Sequence, residues 1–137
     1  MKSPKVAVVV LNYKGWQDSI KCVNSLLKQT YSNFHVVLVE NGSGDDSVQE
    51  LSKLKDEKLT FIQESVNHGF TGGVNIGINW AMENGYGAVA LINNDAHAEP
   101  NWLEALVHAM QKQGAAMVTG LLLSTDGKHI DDAGDEY

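Results

Sequence analysis

"KVAVVVLNY", residues 5–13, decides the fold. Its apolar residues run continuously and are rich in β-branched valine, with no polar alternation. A strand of that kind is buried on both faces, as in a parallel sheet covered by helices. The signature returns at "HVVLVEN" (35–41), "LTFIQE" (59–64), "AVALINN" (88–94) and "AMVTGLLL" (116–123). Helical spacing fills the gaps. Residues 16–29 place Trp16, Ile20, Val23 and Leu27 at helical intervals, with Leu26 beside them. In 45–54, Val48 and Leu51 mark a short amphipathic helix. In 72–84, Val74, Ile78 and Met82 form a stripe. In 101–113, Trp102, Leu103, Leu106, Val107 and Met110 form another, with Pro100 placed to open the helix. The alternation predicts an α/β fold: one domain over residues 1–137, built as an open, mostly parallel sheet with helices on both faces.

Bulk properties narrow the function. No apolar run approaches the roughly 20 residues that span a bilayer. The start has only a short apolar core and turns polar without the small-residue cleavage site of a signal peptide, so a cytoplasmic location is expected. Cys22 is the sole cysteine, which excludes an internal disulfide and any multi-cysteine zinc site; its helical context points to packing. The net charge of −7 is unevenly spread. Residues 1–60 carry eight lysines against seven acids, whereas 61–137 carry only Lys112 and Lys128 against ten. There is no arginine, which argues against nucleic acid as a partner. A bound diphosphate would then be neutralised by a metal, by backbone N–H groups or by a lysine.

Polar and glycine residues cluster where the strands end, the edge at which open α/β sheets bind ligands. Tyr13 follows the first strand, where its ring can either pack or stack on a base, and Lys14 is within reach of a phosphate. Glu40 and Asn41 end the second strand, before a Gly-Ser-Gly turn and an Asp45 or Asp46 helix cap. An acid in Glu40's place can accept a hydrogen bond from a base or a ribose. Gly69, Gly72, Gly73 and Gly77 surround the start of a helix, a setting that lets a ligand approach the backbone. Neither G-x-G-x-x-G after the first strand nor a phosphate loop is present. In "LINNDAHAEP" (91–100), Asn93, Asn94 and Asp95 close the fourth strand. On these residues alone two readings stand, a turn or a site for Mg²⁺ or Mn²⁺, which take few carboxylates and accept phosphate oxygens.

The order of these motifs resembles a known family. "VAVVVLNYKGW", "SLLKQTYSNFHVVLVENGSGDDS", "NHGFTGGVNIGI" and "ALINNDAHAEPNWLEALV" look like the donor-binding half of family 2 glycosyltransferases of the GT-A fold, a Rossmann-like nucleotide-binding unit. The likeness points to the bacterial rhamnosyltransferase-like branch. It implies a nucleotide site of Asn12, Tyr13, Glu40, Asn41, Gly42, Gly69, Phe70, Gly72, Gly73, Asn75 and Asn94. Ser43 falls in the same turn, and Glu40 stands where the family has aspartate. Asp95 matches the acid that binds the metal–diphosphate, with Asn93 and His97 as further candidates for the metal. The implied cofactor is Mg²⁺ or Mn²⁺, and the implied donor a UDP- or dTDP-linked sugar. The acceptor would be a saccharide or a lipid-linked saccharide, in cell-wall or polysaccharide biosynthesis, with the full-length protein at the inner face of the membrane.

The resemblance also implies a missing acceptor half that carries the general base. Asp131 and Asp132 fall where the family has another segment, so no catalytic base is assigned and the chain is expected to be a truncated enzyme. Two other classes remain open on sequence. One is a sugar nucleotidyltransferase, which would want a basic glycine-rich loop in place of "NYKGW". The other is an inactive α/β interaction module.

Overall fold

The computed structural model describes residues 4–113 and, beyond them, the strand residues 122–123 and 130–131. Four parallel strands form the sheet: β1 (Val6–Asn12), β2 (Phe34–Asn41), β3 (Leu59–Glu64) and β4 (Ala88–Ile92), in the order β3-β2-β1-β4. Between and after them lie α1 (Trp16–Leu26), α2 (Ser47–Leu51), α3 (Gly69–Glu83) and α4 (Trp102–Gln113). The helices do cover both faces. Val6, Val8 and Val10 of β1 face a core shared with Cys22, Val23 and Leu26 of α1, Leu51 of α2 and the buried side of α4. Ala7 and Val9 face the other way, into a core closed by α3. The period of two in a strand divides one continuous apolar run between two helical layers.

The run at 116–123 does not extend this sheet in the part described. Leu122–Leu123 (β5) pairs antiparallel with Ile130–Asp131 (β6) in a separate two-stranded ribbon. Continuous hydrophobicity specifies burial, not strand direction. The remainder of that run, Asp132 and His129 lie outside the described residues. Pro100 does not open α4; it sits in the turn before it, where its carbonyl accepts the Thr30 N–H at 2.8 Å.

The stripe expected on α3 is wrong in detail, for a physical reason. Met82 is 62 % exposed, and the face on the sheet carries Gly73, Val74, Gly77 and Ala81. A Cβ on Gly77 would lie 2.6 Å from Val9 Cγ1, and one on Gly73 would lie 2.5 Å from Leu11 Cδ1. The helix rests on the sheet through bare backbone, and a hydrophobicity pattern does not register that contact.

These contacts fix the sign of a substitution. Helix propensity alone favours alanine over glycine by roughly 0.5–1 kcal/mol, whereas overfilling a packed interface typically costs about 1–3 kcal/mol. Gly77→Ala is therefore expected to lower the stability read from urea unfolding, and an increase would show that α3 can lift off the sheet at no cost.

Candidate functional site

The chain steps outward from β1 to β2 to β3 and then returns to the far side of β1, so the sheet reverses direction between β1 and β4. Open α/β sheets bind ligands at such a reversal, beyond the carboxyl ends of the strands. A cleft of about 350 Å³ lies there. Val9, Leu11 and Leu91 line it from the sheet, and Val74 from α3. Tyr13 and Phe70 stand at it 44 % and 42 % exposed, an unusual amount of open aromatic surface. Asn41, Asn67 and Gly69 line one side, and Ile92, Asn93 and Asn94 the other.

Asn41 shapes the first side. Its Oδ1 accepts the His68 N–H at 3.1 Å, while its Nδ2 donates to Asn67 Oδ1 at 3.1 Å and to the Gly69 carbonyl at 3.0 Å. One buried amide thus ties the end of β2 to the turn that begins α3. Gly42 permits the approach: its φ is +70°, and a Cβ there would meet the Val66 carbonyl carbon at 2.2 Å.

Glu40 points to the opposite face of the sheet and is 1 % exposed. Its Oε2 accepts N–H groups from Gly42 at 3.0 Å and Ser43 at 3.1 Å. Its Oε1 accepts Asn12 Nδ2 at 3.1 Å and the Ser43 hydroxyl. Asn12, its register partner on β1, is also fully buried and accepts the Ser19 hydroxyl at 2.6 Å. Glu40 and Asn12 therefore stand behind the cleft and hold its frame; they do not line it. Across the β2–α2 turn, Ser43 Oγ takes the N–H of Lys14, whose φ is 57°, and Asp45 Oδ1 takes the N–H of Ser47. The Ser47 side chain first, and this N–H after it, hold the Asp45 carboxyl below its ordinary range.

The loop after β4 is fastened along α1. Asn94 Nδ2 donates to Ser19 Oγ at 3.0 Å and to the Gly15 carbonyl at 3.3 Å. Cys22 Sγ lies 3.5 Å from the Asn93 carbonyl. Ser25 Oγ accepts the Ala98 N–H at 3.0 Å. Gln29 donates to the Glu99 carbonyl at 2.7 Å and accepts the Leu103 N–H at 2.8 Å. Asp95 sits exposed in this loop, directly after the two asparagines that line the cleft. Burial, with the charge of Asp95 behind it, pushes the Cys22 thiol up to about 12, so the lone cysteine is a packing residue.

The donor set suits a hard cation held loosely. Among the described residues no three His, Cys, Asp or Glu side chains gather as a metal cage. Asp95 offers an accessible carboxylate, and Mg²⁺ or Mn²⁺ needs only one or two of these when water and phosphate supply the rest. His97 is exposed on the same loop.

Of the residues expected at a nucleotide, Tyr13, Asn41, Gly69, Phe70 and Asn94 line the cleft. Gly73 faces Leu11 and Asn41, Gly72 faces the His68 side chain, and Asn75 is exposed on α3 outside the cleft lining. Sequence reading passed over Ser19, Ser25, Gln29 and Asn67. The signal was present for the first two: serines at 19 and 25 share the buried face of a helix with Cys22, Val23 and Leu26, and buried hydroxyls require partners.

The model of the family described as "Glycosyl transferase family 2" matches residues 6–132. An uncharacterized glycosyltransferase of Haemophilus influenzae is 29 % identical over 123 residues, covering 88 % of this chain and 37 % of that protein. The chain thus spans less than half the length of the curated relatives it matches. Among solved structures, S. aureus TarS 1–349 in complex with UDP superimposes with a TM-score of 0.64 at 24 % identity, over 80 % of this chain and 33 % of that one. The mannosyltransferase PcManGT from Pyrobaculum calidifontis, in complex with GDP-Man and Mn²⁺, gives 0.61 at 22 % identity, over 81 % and 32 %. These two likenesses establish the fold.

The buried carboxylate yields a direct expectation. Glu40→Gln turns one acceptor oxygen into an amide that faces N–H donors, which should cost about 2 kcal/mol or more of unfolding free energy. Urea titration measures it, and Cys22 alkylation serves as a second probe, silent until the chain unfolds. A wild-type midpoint for Glu40→Gln would mean that the turn does not need the charge.

Proposed function

The chain belongs to glycosyl transferase family 2, and on that premise we propose that it binds the donor, a nucleoside-diphosphate sugar, together with Mg²⁺ or Mn²⁺, for inverting transfer to an acceptor hydroxyl. The observation that carries this reading is the cleft at the β1/β4 reversal, with open aromatic rings at it and an exposed aspartate next in sequence to its polar lining. The complexes of TarS with UDP and with UDP-GlcNAc, and of PcManGT with GDP-Man and Mn²⁺, support it.

Tyr13 and Phe70 offer faces on which a flat base stacks. Asn41 holds the loop of Asn67 and Gly69 against the nucleoside. Lys14, whose Nζ lies 5.3 Å from the Tyr13 ring centroid, adds positive charge at the diphosphate, in a chain without arginine. Asp95 holds the metal, with Asn93, Asn94 and His97 beside it. When bound, such an ion stabilises the charge that builds on the departing nucleoside diphosphate. The sugar is a hexose or deoxyhexose, in keeping with the rhamnosyltransferase-like motifs and a UDP- or dTDP-linked donor. Its anomeric carbon is attacked in line by a saccharide hydroxyl. The base that deprotonates this hydroxyl comes from outside these 137 residues, so the isolated chain binds nucleotide and transfers little or no sugar.

A thermal-shift panel with UDP, dTDP and GDP, with and without Mn²⁺, checks the reading. At least one nucleotide should raise Tm, and Mn²⁺ should enlarge the shift. Asp95→Ala should abolish the Mn²⁺-dependent part, and Tyr13→Ala should weaken nucleotide affinity about tenfold through lost stacking. If no nucleotide stabilised the wild type, the chain would be better described as an interaction module. Efficient sugar transfer by the isolated chain would refute the assignment of the base to a missing part.

A further inference from the structure

Both ends of the cleft are joined by one chain of hydrogen bonds, buried up to Ser19, and a single hydroxyl stands at its centre. From the β2 side, Glu40 accepts from Asn12 at 3.1 Å, and Asn12 Oδ1 accepts from Ser19 at 2.6 Å. From the β4 side, Asn94 Nδ2 donates to Ser19 Oγ at 3.0 Å. Ser19 has one proton and gives it to Asn12, so its lone pairs are left for Asn94. Ser19 and Asn12 are fully buried, which holds the bond between them out of competition with water. The sheet order requires this link: β1 lies between β2 and β4, so anything joining the two strand ends must pass over the end of β1. Asp95 is the residue after Asn94, and the backbone turns there, with the Ala96 N–H on the Asn93 carbonyl at 3.0 Å.

We infer that Ser19 is a positioning residue. Through Asn12 and Glu40 it is tied to the turn that frames the base end of the cleft, and through Asn94 it fixes the loop that presents Asp95 to the metal. The two ends are thereby held at one spacing. This rests on the donor-binding reading given above. Ser19 touches neither nucleotide nor metal and acts through Asn94.

The test is calorimetric titration of UDP, dTDP and GDP, each with and without Mn²⁺, into wild type, Ser19→Ala, Asn94→Ala, Asp95→Ala and Val23→Ala. The quantity read is the gain in affinity that Mn²⁺ confers. Ser19→Ala is expected to reduce this gain about tenfold, as loss of an outer-shell partner of a metal site does. Asn94→Ala breaks the same link from its half-exposed end and should do likewise, so the inference stays testable if Ser19→Ala folds poorly. Adding Ser19→Ala to Asp95→Ala should remove nothing more. Val23→Ala empties part of the core on the same helix and should lower Tm while keeping the gain. A full Mn²⁺ gain in folded Ser19→Ala or Asn94→Ala would overturn the inference and leave the donor-binding reading intact. So would an equal loss in Val23→Ala, which would mark the effect as general loosening. Absence of nucleotide binding or of any Mn²⁺ gain in the wild type would overturn both.

Discussion

A carboxylate with no cation beside it is the constraint on which the carboxyl edge of this sheet depends. Glu40 is almost wholly inaccessible, and no ion pair to it forms among the described residues. An isolated buried charge is costly unless hydrogen bonds replace its lost water. Two backbone N–H groups, a hydroxyl and an amide supply them, from the Gly42–Ser43 turn and from Asn12. The turn can hold its shape only with the acceptor behind it, and Ser43 then passes the order on to Lys14 at the end of β1. The charge does its work before any ligand arrives.

Adjacent residues on a strand look in opposite directions, and the two last residues of β2 use this fully. Glu40 serves the α1 side and Asn41 the α3 side. The turn after β2 and the turn before α3, which lie against each other at Gly42, are therefore set by neighbours in sequence. A shift of one residue in the register of β2 would exchange their environments, leaving a carboxylate under α3 and an amide among N–H donors.

The fold was largely legible. Uninterrupted valine-rich runs implied strands covered on both faces, and the observed layers agree. What escaped was contact made without side chains: α3 meets the sheet at Gly73 and Gly77, where no pattern of apolar residues could mark the face. The site was legible in its loops and less so in its roles. Tyr13, Phe70, Asn41 and Asn94 reach the cleft, while Asn12 and Glu40 proved to be the frame behind it. A motif shows that a residue type belongs at a place. Whether its polar atoms turn outward or inward depends on partners dozens of residues away, and Ser19 has no motif of its own.

The serines and cysteine of α1, with Gln29 just beyond its end, carry one further consequence. They bind the loop after β4 and the start of α4 at four points, from Asn93 to Leu103, although some seventy residues separate the two segments. Recombination between homologous chains is therefore sensitive to where it cuts. A crossover placed between residues 30 and 90 would join the helix of one parent to the acid-bearing loop of another, and the Ser19–Asn94 rung, which needs a side chain from each, is the one most exposed to mismatch. Exchange of residues 34–64 as a cassette leaves that pairing within one parent and does not disturb the loop that carries the acid.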